Sequence, residues 1–288
     1  YETYPAFRSV FESAKVDFDL EKVCFEGPDE TLNQTQYTQP CMVAFATGVT
    51  EVLQEKGVRP SVTAGLSLGE YSALHASGVL DPATAIELVA FRGKAMAEAV
   101  QGRLSAMAAI FMLGREELQA CCDAASHLGV AEIANLNCPG QIVIGGDALA
   151  VEEAGRLALE AGARRVIPLK VSGPFHTSLM APAGRALEER LKGVEFGPME
   201  VPTLFNCLGG PMREGDTIPG LLVRQVQNSV HMEDSIRFLE AQGVDTVVEI
   251  GPGKALSGFV KKTAKGIKTY AVETAEDLEH VVSVLKGA

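Results

Sequence analysis

The sequence predicts an α/β fold, in which a parallel sheet is covered by helices and a small βαββαβ unit is inserted. Segments typical of strands alternate with segments typical of helices over most of the 288 residues, an order that favours parallel strands joined by helices. Between residues 104 and 171 the order becomes strand, helix, strand, strand, helix, strand, which is the split βαβ arrangement of a ferredoxin-like unit. We therefore predict a large α/β domain of residues 1–103 and 172–288 and a small ferredoxin-like domain of residues 104–171.

Capping residues predict where the helices of the first hundred residues begin. Thr38 is expected to be the N-cap of a helix that runs toward Gly57, with a proline in its first turn. Residues 61–64 predict a short strand, and a helix follows it directly. Asp81 precedes a proline and predicts the start of the next helix, which ends near Val100.

The inserted unit and the end of the chain contain the remaining predicted elements. Strands are predicted at residues 106–113, 130–136, 141–145 and 164–171, and helices at residues 115–126 and 148–161. The alternating pattern then resumes and includes a strand at residues 246–250. Gly251-Pro252-Gly253-Lys254 follows that strand and could bind phosphate, but it lacks the full P-loop spacing, and a tight turn is the simpler interpretation.

Composition argues against several classes of function. Hydrophobic residues make up 47% and charged residues 22% of the chain, as in ordinary globular proteins. No apolar stretch approaches the roughly 20 residues that cross a bilayer, and the net charge of −12 argues against nucleic-acid binding. The six cysteines lack the spacing of a disulfide framework, so we expect reduced thiols in a cytoplasmic protein. The five histidines are scattered, so we expect no bound metal, and a monomer is the default expectation.

A G-x-S-x-G motif lies between the predicted strand at 61–64 and the helix after it. In such a turn Ser67 stands exposed above the sheet in a tight backbone conformation, and Gly65 and Gly69 are expected to leave room for it. The N–H of Leu68 and the positive end of the new helix would face a developing oxyanion. The motif occurs by chance in many sequences, but this position favours a nucleophile over a structural turn.

Two further residues could act with this serine. His176 lies on a loop after the last strand of the inserted unit, where the two predicted domains join, and is the best candidate for a general base; a structural histidine is the alternative. Arg92 falls on the apolar face of its predicted helix, where an unpaired charge is costly. Its partner is either a protein carboxylate or a substrate carboxylate, and the second interpretation favours a dicarboxylic acyl group. The other histidines are expected to pack, as His75, or to lack a convergent partner, as His127, His231 and His280.

Spaced motifs along nearly the whole chain carry a family resemblance. They are Asn33-x-Thr35-x-x-Thr38-Gln39-Pro40, Gly65-x-Ser67-Leu68-Gly69-Glu70-Tyr71, Arg92-Gly93-x-x-Met96, Asn137-x-Pro139-Gly140-Gln141, Phe175-His176, Gln225 and Glu249-x-Gly251-Pro252-Gly253. In this order they resemble the malonyl-CoA:acyl carrier protein transacylase family, which includes acyltransferase domains of polyketide synthases. The resemblance implies an α/β-hydrolase-like large domain, transfer of malonyl from malonyl-CoA to the phosphopantetheine thiol of acyl carrier protein, and no cofactor held by the enzyme.

The resemblance also implies a role for each site residue. Ser67 would attack the thioester and form a malonyl-serine intermediate, with His176 as its base. Arg92 would hold the malonyl carboxylate, and the N–H of Leu68 would bind the oxyanion. The remaining matches are Gln39 and Asn137, which line the site, Phe175, whose ring would crowd an α-methyl branch, and Gln225, whose main-chain carbonyl would orient the histidine.

Two departures from the family pattern are visible. Leu66 stands where the family usually has histidine, so a polar role of that side chain is absent. The family opens with a strand and a glycine- and glutamine-rich loop that supplies a second oxyanion donor, and Tyr1 begins after both. Because losing one such donor costs about 2.7–4 kcal/mol, we expect the natural protein to have this segment.

Other functions compete with transfer to a fatty-acid carrier. A trans-acting polyketide acyltransferase would use the same residues. A serine hydrolase or thioesterase would need an acid between serine and histidine, here Asp123 or Asp147, and a docking module would need no catalysis. Basic residues are concentrated in two segments of this acidic chain. They form either a solvated face or a docking surface for an acidic carrier protein. The residues expected to contact the carrier are Arg164, Arg165, Lys254, Lys261 and Lys262.

Overall fold

The strands form three separate sheets in the computed structural model, which describes residues 1–287. The strands are β1 (Thr63–Ala64), β2 (Ser105–Phe111), β3 (Ala131–Cys138), β4 (Gln141–Asp147), β5 (Arg165–Pro168), β6 (Thr203–Leu204), β7 (Val230–His231), β8 (Thr246–Ile250) and β9 (Lys268–Val272). The α-helices are α1 (Pro5–Ser13), α2 (Leu20–Glu26), α3 (Asp29–Leu32), α4 (Thr35–Glu55), α5 (Gly69–Ala76), α6 (Pro82–Ala99), α7 (Arg115–Ala125), α8 (Ala148–Glu160), α9 (Ala181–Leu191), α10 (Ile218–Val226), α11 (Met232–Ala241), α12 (Ala255–Thr263) and α13 (Ala275–Lys286). The fold is therefore of the α/β class, as predicted.

Parallel strand pairs belong to the first of two units into which the chain divides. This unit comprises residues 1–93, 195–204 and the chain from residue 236. β1 pairs in parallel with β6, and β8 pairs in parallel with β9 over its full length. A crossover that contains α12 joins β8 to β9, as parallel neighbours require, whereas β1 and β6 lie far apart in sequence.

A five-stranded sheet organises the second unit, which comprises residues 94–194 and 205–235. Its strand order is β5-β2-β4-β3-β7. The pairs β5–β2, β2–β4 and β4–β3 are antiparallel. The last pair, β3–β7, is parallel. The six elements predicted between residues 104 and 171 are all present, in the predicted order.

The two faces of this sheet are covered differently. The helices α7 and α8 pack on one face, where the buried core includes Leu118, Ile144 and Ala154. The opposite face carries a smaller apolar cluster of Met107, Ala109, Ala134 and Val143. The partly buried rings of Phe111 and Phe175 pack against that smaller cluster, so the residue next to His176 is anchored on this second face.

One predicted helix start is wrong, and one set of boundaries stays a prediction. The helix α4 begins at Thr35 with Gln34 as its N-cap, because the N–H of Thr38 already donates to the Gln34 carbonyl at 2.9 Å. Thr38 is therefore inside the helix. The second unit contains all of residues 104–171 and also neighbouring segments. The predicted boundaries of the small domain, at residues 104 and 171, therefore stay a prediction.

Residues 1–287 contain six free cysteine thiols. Within the same residues, no group of three or more His, Cys, Asp or Glu side chains is arranged to hold a metal ion. No helix of this part of the chain combines the length and apolar character needed to cross a bilayer.

Candidate active site

Ser67 occupies an unusual backbone conformation between β1 and α5. Its φ of 54° lies in the left-handed region, which residues other than glycine rarely adopt. Such strain persists only where the surrounding structure imposes it, and it is concentrated at functional sites. The strand, turn and helix that give the G-x-S-x-G motif its chemical meaning are therefore all present around this serine.

The two glycines of the motif have different steric surroundings. A methyl group on Gly65 would lie 2.0 Å from the carbonyl oxygen of Gly69, so only glycine fits there. A methyl group on Gly69 would meet no atom of residues 1–287 within 4 Å. The prediction that both glycines leave room for the serine is therefore wrong for Gly69, because the turn folds its backbone onto Gly65 alone.

The N–H of Leu68 is free to donate to a ligand. At the start of α5 the N–H groups of Gly69, Glu70 and Tyr71 each donate to the carbonyl three residues earlier. For the N–H of Leu68 there is no acceptor in residues 1–287. A free N–H at the positive end of a helix is the arrangement that stabilises a developing oxyanion.

Arg92 joins Gln39 and Ser67 in one hydrogen-bonded chain. Its guanidinium donates from one terminal nitrogen to Gln39 Oε1 at 2.6 Å and from the other to Ser67 Oγ at 3.0 Å. The amide nitrogen of Gln39 donates to Thr35 Oγ1 at 2.8 Å. The sequence predicted Arg92 on a buried apolar helix face, and its side chain is indeed 0% exposed.

Gly93 allows the helices α6 and α4 to meet beside Arg92. A methyl group on Gly93 would lie 2.7 Å from the Cα of Gln36 and 2.8 Å from the carbonyl oxygen of Thr35. The two backbones are therefore in direct contact, which only glycine permits. This contact brings Arg92 within reach of Gln39, which is one helical turn after Thr35.

The charge of Arg92 is buried among polar and aromatic groups. Burial holds the pKa of its guanidinium below the usual value, and the nearby Tyr71 and Glu70 act in the opposite direction. The Cζ of Arg92 lies 5.9 Å from the centre of the Tyr71 ring. Burial likewise raises the pKa of the Tyr71 hydroxyl. Arg92, Tyr71 and Glu70 are thus three fully buried polar side chains that interact with one another.

His176 is held in one orientation by the last turn of α10. Its Nδ1 lies 2.9 Å from the carbonyl oxygen of Gln225. Carbonyls of a final helical turn have no partner inside the helix, and this one accepts from Nδ1–H. That bond fixes the tautomer in which Nε2 carries the lone pair of a base. With a φ of 61°, His176 shares the left-handed conformation of Ser67.

Asn137 and Phe175 lie in the same unit as His176. The pairing of β3 with β4 shifts register between Leu136 and Cys138, and such a bulge re-aims the side chain at its centre. Asn137 is buried, and its Oδ1 has no hydrogen-bond partner within residues 1–287. A buried amide oxygen without a partner is available to a ligand. Phe175 packs on the second sheet face.

Comparison with known proteins identifies the family to which this chain belongs. The family model described as "Acyl transferase domain" matches residues 4–283. The chain belongs to the acyl transferase domain family. A malonyl CoA-acyl carrier protein transacylase of Bacillus subtilis is 44% identical to this acyl transferase over 289 residues, which cover 99% of this chain and 91% of the relative.

Solved structures of acyl transferases have the same fold. The malonyl CoA-acyl carrier protein transacylase from Clostridium perfringens aligns with a TM-score of 0.94 at 38% identity, over 99% of this chain and 91% of that one. A malonyl-transacylase in complex with a type II PKS acyl-carrier protein aligns with a TM-score of 0.93 at 38% identity, over 100% and 93% of the two chains.

Sequence reasoning missed two contributors to this acyl transferase site. Tyr71 was visible only as part of a motif, because its contact with Arg92 joins α5 to α6 and is not encoded in a local pattern. The packing role of Gly93 was also missed, because its clash partners lie on α4, more than 50 residues earlier in the sequence.

Other predicted groups lie outside these contacts. His75 is buried, with Nδ1 3.0 Å from the Leu80 carbonyl, so its predicted packing role is confirmed. The expectation that His231 lacks a partner is wrong, since Asp234 Oδ2 lies 2.9 Å from its Nδ1. The Gly251–Lys254 segment is a turn, and the helix start after it is already bound by the Glu249 carboxylate, which accepts from two N–H groups of α12.

The basic residues expected to dock a partner are all exposed, and they lie in both units. In the second unit, Arg164 and Arg165 lie at the start of the edge strand β5, and the Arg165 guanidinium lies 5.1 Å from the centre of the Phe111 ring. In the first unit, Lys254 precedes α12, and Lys261 and Lys262 lie in its last turn.

Proposed function

We propose that this acyl transferase moves the malonyl group from malonyl-CoA to the phosphopantetheine thiol of acyl carrier protein, for fatty-acid biosynthesis. One observation carries the proposal: the fully buried guanidinium of Arg92 donates to the oxygen of the nucleophile Ser67 at 3.0 Å. A buried cation beside the reacting oxygen suits an acyl group that has a free carboxylate. The names of the relatives describe the same reaction.

In the first half-reaction Ser67 Oγ attacks the thioester carbonyl of malonyl-CoA. Nε2 of His176 takes the hydroxyl proton, while the Gln225 carbonyl keeps the imidazole in the required tautomer. The N–H of Leu68 donates to the oxyanion of the tetrahedral intermediate. Collapse of that intermediate forms the malonyl-Ser67 ester, and the CoA thiolate leaves with the proton from His176.

In the second half-reaction the phosphopantetheine thiol attacks the malonyl-Ser67 ester. His176 accepts the thiol proton and then returns it to Ser67 Oγ as the ester breaks. The product is the malonyl thioester of the carrier, and the enzyme regains its starting form. Phosphopantetheine arrives with the partner, so the proposed mechanism needs no cofactor or metal held by the enzyme.

Three further residues define the acyl site in this proposal. Gln39 holds Arg92 in place through its 2.6 Å hydrogen bond, which leaves the guanidinium aimed toward the malonyl carboxylate. The free Oδ1 of Asn137 accepts a hydrogen bond from the substrate. The ring of Phe175, fixed on the sheet face, crowds a branched acyl group and favours malonyl over methylmalonyl.

We further propose that the carrier protein docks near Arg164, Arg165, Lys254, Lys261 and Lys262. The enzyme has a net charge of −12, so an acidic carrier needs a local positive surface to approach it. Next to Arg165 lies an apolar feature of the kind found at the centre of interfaces. Met112 is 65% exposed and has a φ of 63°, and it adjoins the half-buried Phe111 under the Arg165 guanidinium.

The finer architecture is part of the proposal. The strand order β5-β2-β4-β3 with antiparallel neighbours supports a ferredoxin-like small domain at residues 104–171. The parallel pairs of the first unit support an α/β-hydrolase-like large domain. We also propose that the protein acts in the cytoplasm as a monomer.

Mass spectrometry after brief exposure to malonyl-CoA tests the proposal. We expect one malonyl adduct, and peptide mapping should locate it on Ser67. The Ser67→Ala variant should take up none, whereas the matched Ser72→Ala variant, altered five residues later on α5, should load normally. An adduct elsewhere, or none, contradicts the proposed intermediate.

The fate of the loaded group separates the competing functions. Rapid release of free malonate without transfer to carrier would indicate a hydrolase; however, Asp147, a possible acid for such an enzyme, already pairs with Arg103 and the N–H of Val130. A structurally similar malonyl-transacylase is in complex with a type II PKS acyl-carrier protein, which makes a trans-acting polyketide acyltransferase the second candidate. Faster transfer to a polyketide carrier than to a fatty-acid carrier would favour that role.

A further inference from the structure

The ring of Tyr71 faces the guanidinium of Arg92, and we propose that Tyr71 is a positioning residue that sets the selectivity for malonyl. It acts through a cation–π contact with Arg92 and touches no reacting atom. This inference rests on the proposed malonyl transfer and adds to it a residue that determines acyl-group specificity.

The placement of Tyr71 follows from the helix that carries the nucleophile. Tyr71 lies in the first turn of α5, four residues after Ser67, and both side chains reach Arg92, the serine through a hydrogen bond and the tyrosine through its ring. The Cζ of Arg92 lies 5.9 Å from the centre of the Tyr71 ring, within the range of a cation–π contact. Both side chains are fully buried, where such a contact is stronger than at an exposed site.

The ring, and not the hydroxyl, makes this contact. Within residues 1–287 the Tyr71 hydroxyl has no hydrogen-bond partner. It therefore does not hold Arg92 through a hydrogen bond. The electron-rich face of the ring is what offsets the loss of solvation of the guanidinium.

Acylation of Ser67 weakens one of the contacts that orient the guanidinium. Gln39 and Ser67 accept hydrogen bonds from its two terminal nitrogens, and the ester oxygen of acylated Ser67 is a weaker acceptor than the hydroxyl. The ring of Tyr71 and the amide of Gln39 are not altered by acylation, and both help to keep Arg92 aimed at the malonyl carboxylate. An acetyl group has no carboxylate, so its transfer does not depend on this alignment.

Graded fluorination of the ring tests the contact with only a small change in side-chain volume at each step. Phenylalanine and its analogues with one, two and three fluorines are placed site-specifically at position 71 of the full chain. Loading of Ser67 is then measured from malonyl-CoA and from acetyl-CoA. Each fluorine weakens the negative face of the ring, so we expect the logarithm of the malonyl-to-acetyl ratio of kcat/KM to fall steadily. The total decrease should be about tenfold at three fluorines.

Removal of the Tyr71 hydroxyl and the same analogues at a matched position provide the controls. Tyr71→Phe keeps the ring and should retain the wild-type ratio within about twofold, because the hydroxyl makes no hydrogen bond within residues 1–287. Phe205 is equally buried, and no cation lies over its ring in residues 1–287. The same fluorinated analogues at position 205 should leave the ratio unchanged.

Two results would overturn the inference. A flat series at position 71 would mean that the ring only fills space. Equal losses for malonyl and acetyl would mean that it supports the fold or the nucleophile and not the carboxylate site. Failure of the wild-type protein to load malonyl on Ser67 is a different result, because it would remove the proposed function itself.

Discussion

A methyl group placed on Gly93 would lie 2.8 Å from the carbonyl oxygen of Thr35. The backbone contact between α6 and α4 is therefore set one residue from Arg92. Thr35 also accepts a hydrogen bond from the amide of Gln39, which in turn accepts from Arg92. The same few atoms thus determine both helix packing and the direction of the guanidinium.

Gly93→Ala should separate these helices and misalign Arg92. We expect kcat/KM for malonyl-CoA to fall at least about tenfold and the free energy of unfolding to fall by about 1–3 kcal/mol, as for other overpacked sites. The matched variant is Gly258→Ala in α12, where a methyl group meets no atom within 4 Å and should be neutral or stabilising by up to about 1 kcal/mol. Chemical denaturation and malonyl-loading kinetics measure both, and a Gly93→Ala enzyme with normal malonyl selectivity would disprove the alignment.

The two glycines around Ser67 should respond very differently to substitution. Gly65→Ala places a methyl group 2.0 Å from the Gly69 carbonyl oxygen, so the turn must open and Ser67 must leave its conformation. We expect acyl loading to be lost, with misfolding detected by circular dichroism in part of the sample. Gly69→Ala should keep activity within about threefold, since its methyl group points into open space. Similar activities for both variants would show that the turn does not depend on Gly65.

The sequence located those features of the site that depend on local pattern. The short G-x-S-x-G motif predicted the strand, turn and helix around Ser67, and the structure contains them. Helical periodicity predicted that Arg92 lies on a buried helix face, and it does. Their catalytic roles remain proposals.

Contacts between distant segments could not be predicted in the same way. The clash partners of Gly93 are backbone atoms of α4, and the bulge at Asn137 depends on how β3 pairs with β4. The start of α4 was misplaced for a related reason. Thr38 and Pro40 are typical of a helix start, but backbone hydrogen bonds to Gln34 extend the helix by one turn.

A carboxylate of the second unit should make stability depend on pH. Asp147 pairs with Arg103 through two hydrogen bonds of 2.7 and 2.9 Å and accepts from the N–H of Val130 at 2.8 Å. The bond from Arg103 holds the pKa of Asp147 below its usual value. The stabilisation is therefore complete above the unfolded-state pKa of about 3.9 and is lost as pH falls through the lower folded-state value.

Asp147→Ala should lower the free energy of unfolding by about 1–2 kcal/mol at neutral pH, a figure reduced for the partial exposure of the ion pair. The difference from wild type should shrink below about pH 4. Urea titrations at several pH values measure it. Glu153→Gln, which alters an exposed pair within α8, should show little change, and a pH-independent deficit at Asp147 would rule out this electrostatic origin.

Reversing charge at the proposed docking surface should affect only transfer to the carrier. Arg165→Glu is expected to raise KM for the carrier protein about tenfold or more by replacing attraction with repulsion. Loading from malonyl-CoA should change far less. Arg156→Glu introduces the same charge on α8, on the opposite sheet face from Phe111 and Arg165, and should leave carrier KM nearly unchanged. Equal effects of the two reversals would indicate a response to net charge and not a docking site.

Arg92 should discriminate between acyl groups, because only malonyl offers a carboxylate to its guanidinium. Arg92→Ala removes a charge-assisted pair and should lower loading from malonyl-CoA by about a hundredfold or more, with a smaller loss for acetyl-CoA. Arg92→Lys keeps the charge but loses the planar two-pronged donor, so it should recover only part of the malonyl loading. Acid-quenched loading assays with both thioesters measure the ratio. Equal losses for malonyl and acetyl would instead assign Arg92 to support of Ser67, to whose Oγ it donates at 3.0 Å.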